Sequence, residues 1–264
     1  MNKKTKWIMI GAGITAATAT VAGVAAAVSH RISKFVVDTA LDRQGPKPLK
    51  GTKNPNNSVV PEELKAKVRE LSEKLKNSDL ETVTITARDG EKLVGHWHHK
   101  DTDKRVIIAM HGWRSSWAHD FGTIADFWQD NGSSVLYVEQ RGQGESGGEY
   151  MGFGMIERFD CLDWIDWVNE KINDSMPIYL AGISMGASTV LMAAGFDLPE
   201  NVCGIMADCG FTSAYAILKH VVEDKTPFSY ESRCKMVDDL CKKKKAPKFH
   251  FILNNNLWQF AEMT

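Results

Sequence analysis

Gly182-Ile183-Ser184-Met185-Gly186 has the spacing of a nucleophile elbow, GxSxG. Its serine must occupy a sharp turn so that the hydroxyl stands clear of the backbone. The flanking glycines let the strand before it and the helix after it come close. The surrounding residues suit that role: Ile178–Ala181 before the motif is an apolar strand core, and Ala187, Ser188, Ala193 and Ala194 after it are small. The chemistry such a serine performs is nucleophilic attack on a carbonyl carbon. Two further motifs follow apolar runs in the same way. His111-Gly112-Trp113 comes straight after Val106–Met110. Glu139-Gln140-Arg141-Gly142-Gln143-Gly144-Glu145-Ser146-Gly147 comes after Val135–Val138.

These motifs need a scaffold that brings strand ends together, and the chain's periodicity supplies one. Strand cores at Val106–Met110, Val135–Val138, Ile178–Ala181 and Val202–Ala207 alternate with helical stretches near 120–130, 155–171 and 185–195. This alternation predicts an α/β fold, with a mostly parallel sheet and helices on both faces. In open sheets of this kind, sites form beyond the carboxyl ends of the strands, where all three motifs fall. Upstream, Val83 and Ile85 alternate with threonines and Asp89-Gly90 is a turn signal, which predicts a hairpin. Pro61 opens a helix carrying Leu64, Val68, Leu71 and Leu75 on one face. Residues 44–60, rich in Pro, Gly, Asn and Lys, read as a linker.

Together the motifs resemble the α/β-hydrolase superfamily, in particular the membrane-anchored bacterial serine hydrolases of the serine-aminopeptidase and monoglyceride-lipase-like type. The resemblance spans about residues 80–220. It implies an α/β-hydrolase fold with Ser184 as nucleophile and with the N–H groups of Trp113 and Met185 as oxyanion-hole donors. It also implies that Glu139-x-Arg141-Gly142-x-Gly144-x-Ser146, where Glu replaces the usual Asp, is a structural loop. No metal and no organic cofactor are implied. The substrate would be a small molecule carrying an ester, amide or thioester, that is, an acyl donor.

The resemblance also implies an acid after a seventh strand and a histidine after an eighth, in the order Ser, Asp, His. Residues 246–253 (Ala-Pro-Lys-Phe-His-Phe-Ile-Leu) stand where the seventh strand is expected. No aspartate follows Asp239, and the sequence stops at Thr264. The chain therefore reads as lacking the last strand or strands, truncated at its C-terminus. The base and acid loops are absent, and ester turnover by the chain as written is expected to be impaired. A catalytically inactive pseudoenzyme, or a membrane-tethered binding protein, is the alternative. Asp208, at the end of the sixth strand, is a candidate acid. Of the eight histidines, His96, His98 and His99 are expected to be solvated on the hairpin. His111 is expected beside the oxyanion loop. His119 and His220 are expected on helix starts or surfaces, and His250 in the seventh strand.

The N-terminus carries a separate message. Trp7–Ser29 is an uncharged run of 23 residues, preceded by Lys3, Lys4 and Lys6. As a helix it would reach about 35 Å, enough to cross a bilayer. A retained anchor is the preferred reading, with a signal peptide cleaved near Ala25-Ala26-Ala27 and a buried helix as alternatives. The expected layout is an anchor or signal segment over 1–29, a linker and amphipathic helix over 30–80, and the hydrolase domain over 81–264. The protein would then sit in the cell membrane through one span, with the domain outside the cytoplasm. A net charge of −1 offers no basic field for nucleic acid. The five cysteines are too scattered for a disulfide framework.

Overall fold

The computed structural model describes residues 37–45, 60–172 and 176–225, together with the helical positions Ala27, His30, Arg31 and Lys34. The hairpin forms as the alternation predicts. β1 (Glu81–Thr86) and β2 (Lys92–His98) pair antiparallel, and the Asp89-Gly90 turn joins them, with Gly90 at a φ of 91°. β2 also pairs antiparallel with β4 (Ser133–Glu139). From there β3 (Arg105–Met110), β5 (Ile178–Ile183) and β6 (Val202–Asp208) continue the sheet in parallel, in the order β1-β2-β4-β3-β5-β6.

The unbroken apolar strand cores follow from coverage on both faces. Along β3, Val106, Ile108 and Met110 pack with Trp164, Ile165 and Val168 of α4 (Glu157–Ile172) and with Val190 and Ala193 of α5 (Met185–Ala193). The intervening Ile107 and Ala109 pack on the other face. Their partners there are Leu75 of α1 (Glu62–Lys76), Trp117 and Phe121 of α2 (Trp117–Phe121), and Ala125 of α3 (Ala125–Asp130). α6 (Ala214–Lys225) follows β6. Among the described residues β6 lies at the sheet edge, and Cys203 and Met206 on it are exposed.

Three expectations change. The helix expected over 120–130 is two short helices, interrupted at Gly122–Ile124. A Cβ on Gly122 would come within 2.9 Å of the backbone of Leu71, so the crossing of α1 leaves room for glycine alone. Residues 37–45, placed in the linker segment by sequence, are packed into the domain. Val37 and Leu41 are fully buried against Phe153, Met155 and Leu218. His96 and His98, expected in solvent, are largely covered. β2 is paired along both edges, and α2 lies over it, so that His96 stacks on Trp117 at 4.1 Å.

The expected seventh strand at 246–253, with His250, lies outside the described residues, as does Lys242–Lys245. The Trp7–Ser29 run lies outside them too, apart from Ala27. Among the described residues no helix is long and apolar enough to cross a membrane. The cysteines described, Cys161, Cys203 and Cys209, are free thiols.

Candidate active site

Ser184 stands between β5 and α5 with φ 53° and ψ −112°, a left-handed geometry that costs a non-glycine residue about 1–3 kcal/mol. Close packing around it sustains the turn. The Ser184 N–H donates to the Asp208 carbonyl at 2.8 Å, and the Ser188 N–H donates to the Ser184 carbonyl at 3.1 Å. A Cβ on Gly186 would overlap the carbonyl oxygen of Met110, and one on Gly182 would overlap the backbone of Gly186. The two glycines of the motif thus let β3, β5 and α5 converge beneath the serine. Among the described residues nothing hydrogen-bonds to the Ser184 hydroxyl.

The His111-Gly112-Trp113 loop lies directly against this turn. A Cβ on Gly112 would be 3.5 Å from the Ser184 Cβ. The Gly112 N–H is already used, donating to Asp120 Oδ2 at 2.7 Å. Ser115 Oγ donates to the other oxygen of Asp120 at 2.5 Å. Asp120, in the first turn of α2, therefore clamps both sides of the loop, a role that sequence reading missed. Its only signal was an acid one turn into the helix that follows the loop. Met185, at the first position of α5, has one of the N–H groups that a helix leaves without an internal partner.

His111 is locked. It is 1% exposed. The Gln140 N–H donates to its Nε2 at 3.2 Å, so Nε2 is the acceptor nitrogen and Nδ1 carries the proton donated to the Gly112 carbonyl at 2.8 Å. Burial lowers its pKa, so the folded chain holds it neutral. The folded state then binds fewer protons than the unfolded chain below about pH 6.5, the ordinary histidine value, and stability falls as pH drops through that region. Urea midpoints at pH 7.5 and pH 5.5 are expected to show this loss in the wild type. The loss should shrink in His111→Asn, which keeps a donor toward Gly112 and cannot titrate. Equal losses in both proteins would refute it.

The Glu139–Gly147 loop is a set of ties. Glu139 Oε2 accepts the Glu145 N–H. Its Oε1 lies 2.9 Å from His96 Nε2 and 3.3 Å from Trp117 Nε1. Burial pushes the Glu139 carboxyl up, but the hydrogen bonds from His96 and Glu145 outweigh it and hold it below the usual carboxylate range. Arg141 forks onto Asp160 of α4 at 2.8 and 2.5 Å, and it reaches Asp89 of the hairpin turn at 2.6 Å. Gly142 and Gly144 have positive φ, and a Cβ on Gly144 would overlap the Glu139 carboxylate.

Asp208 ends β6 with its backbone against the elbow. Its carboxylate is exposed and makes no hydrogen bond or ion pair among the described residues. His119 is exposed at the start of α2 and lies 3.2 Å from Asp120 Oδ1. His99 Nδ1 lies 2.8 Å from Ser134 Oγ. His220 is exposed on α6. The geometry thus assembles Ser184 with the loop bearing Trp113, with Met185 and with the backbone of Asp208. It brings no described histidine into hydrogen-bond reach of the serine.

Residues 101–220, a little under half the chain, match the family model of serine aminopeptidase, S33. The chain is 34% identical over 82 residues to the uncharacterized protein YqkD of Bacillus subtilis (strain 168), covering 31% of this chain and 27% of that protein. It is 28% identical over 185 residues to a multifunctional-autoprocessing repeats-in-toxin of Vibrio vulnificus, covering 63% of this chain and 4% of the toxin. The chain thus spans about a quarter of the first relative and a small fraction of the second. Among solved structures, the α/β hydrolase GrgF from Penicillium sp. sh18 superposes with a TM-score of 0.50 at 19% identity, covering 68% of this chain and 74% of that one. The Pyrococcus furiosus esterase Pf2001 superposes at 0.48 with 24% identity, covering 77% and 70%. By its strand order, the elbow after β5 and the GrgF likeness, the chain is an α/β-hydrolase-fold protein, and its residues 101–220 are similar to the serine aminopeptidase S33 family.

Proposed function

We propose that this protein is a serine hydrolase acting on an ester, amide or thioester of a small acyl-bearing molecule. The observation that carries this reading is Ser184 held at a left-handed φ of 53° with the Gly112–Trp113 loop against it. In the proposed reaction Ser184 Oγ attacks the acyl carbonyl carbon and gives up its proton to a base. The carbonyl oxygen becomes an oxyanion that the Trp113 and Met185 N–H groups stabilise, an effect worth about 3–4 kcal/mol per donor. Collapse expels the alcohol, amine or thiol, which takes a proton, and water then hydrolyses the acyl-enzyme.

His111 does not serve as that base, because its acceptor nitrogen is taken by Gln140. The second reading, an acyl-binding protein without turnover, is favoured by the lack of any hydrogen bond from a described histidine to Ser184. A fluorophosphonate probe on the full chain, with the adduct mapped by mass spectrometry, separates the two. Labelling at Ser184 supports the hydrolase, and no labelling supports the binding protein. Anchoring in the cell membrane through residues 7–29 is part of the proposal, on the length of that uncharged run. The full-length chain is expected to stay with membranes through a carbonate wash, and its release would overturn the anchor.

A further inference from the structure

Residues 37–40 are helical, and the chain leaves the helix at Leu41. A helix end leaves its last carbonyls without partners. Here the Val37 carbonyl takes the Leu41 N–H, and the ones after it are met from the oxyanion loop. The Trp113 indole N–H donates to the Ala40 carbonyl at 2.9 Å. The Arg114 guanidinium donates to the carbonyls of Thr39 at 3.0 Å, Asp42 at 2.6 Å and Arg43 at 3.3 Å. To do so Arg114 holds a φ of 51°, which costs an L-residue about 1–2 kcal/mol. Its guanidinium also suits the negative end of a helix.

The same segment is tied on its other side. The Arg43 N–H donates to the Glu149 carbonyl and the Met151 N–H to the Leu41 carbonyl, both at 2.8 Å. The Arg43 guanidinium donates to the Ser146 carbonyl at 2.6 Å. Residues 37–45 thus bridge the loop beside Ser184 and the Glu139–Gly147 loop.

We propose that residues 37–45 are a strap that positions the oxyanion loop, with Arg114 as the positioning residue, so that acyl transfer at Ser184 requires the strap to be docked. This rests on the hydrolase reading of the site. Loss of the guanidinium removes the strap's main grip on the stretch between the Asp120 ties at Gly112 and Ser115, where the Trp113 N–H lies. Donors must sit where charge develops, so the loss falls on the transition state more than on substrate binding.

The test uses the full chain and Arg114→Gly, which removes the guanidinium while suiting a positive φ, so backbone strain is not the cause of any loss. Hydrogen exchange by mass spectrometry is expected to rise together in 37–45 and 111–116 and to stay constant in α4. Hydrolysis of p-nitrophenyl butyrate is expected to fall about 10- to 100-fold in kcat, below the 10²–10³ of a deleted donor, with KM within about twofold. Arg114→Lys should recover part of the loss. Trp113→Phe, which removes the indole N–H and keeps the backbone amide, should show the same split and substitutes if Arg114→Gly does not fold. Unchanged exchange in 111–116, or unchanged kcat where exchange has risen, overturns the strap. If the wild type shows no Ser184-dependent turnover, the hydrolase reading falls, and the exchange of 111–116 alone judges the strap.

Discussion

Ser184→Ala is expected to abolish both labelling by a fluorophosphonate and Ser184-dependent ester turnover. Removing the nucleophile of a serine hydrolase costs about 10⁶-fold in kcat, because the oxyanion donors and binding alone supply only a residual rate. Ser184→Gly should lose activity equally but gain about 1 kcal/mol of stability, since glycine holds the φ of 53° without the strain a serine bears there. Labelling kinetics and urea midpoints on the three proteins check both halves. Turnover or labelling that persists in the alanine variant would move the nucleophile elsewhere. A glycine variant no more stable than wild type would mean that the turn stores no strain.

The second large effect concerns the scaffold under the serine. Gly186→Ala is expected to destabilise the fold by at least about 3 kcal/mol, the upper end for forced overpacking. The added Cβ would overlap the Met110 carbonyl, with the backbone of His111 also close, and neither strand backbone can yield as a flexible side chain would. Gly195→Ala is the control. It lies just beyond α5 without a positive φ, and its Cβ would meet only the Met192 carbonyl at 3.3 Å. The gap should appear in urea midpoints or, if Gly186→Ala is not recovered folded, in soluble yield. Equal midpoints for Gly186→Ala and wild type would show that the convergence of β3 and α5 at this point is not obligatory.

Much of this architecture is local and therefore legible in the residues. β3, β4 and β5 enclose the apolar runs read from sequence, because a strand covered on both faces must be apolar at every position, and β6 encloses its own run although Cys203 and Met206 on it are exposed. The hairpin turn at Asp89-Gly90 and the elbow at 182–186 depend on backbone geometries that glycine-bearing patterns announce over a few residues. Boundaries were less legible where they depend on a distant neighbour. The glycine at the break between α2 and α3 answers to the close approach of Leu71, across some fifty residues of sequence.

Three features were decided by tertiary structure alone. Asp120 is an ordinary helical acid in sequence, and only the fold of α2 over β3 places its carboxylate on the Gly112 N–H. His96 carries an exposed-strand pattern, and only the arrival of Trp117 and Glu139 from elsewhere in the chain covers it. Residues 37–45 look like linker because their ties are long-range. Val37 and Leu41 are buried by side chains more than a hundred residues away, and the carbonyls of Thr39, Ala40, Asp42 and Arg43 are met by Arg114 and Trp113. Local residue patterning determined the fold and the serine's turn, since both rest on periodicity and local dihedral preference. The partners that hold the site in place are non-local, and no spacing along the chain encodes them.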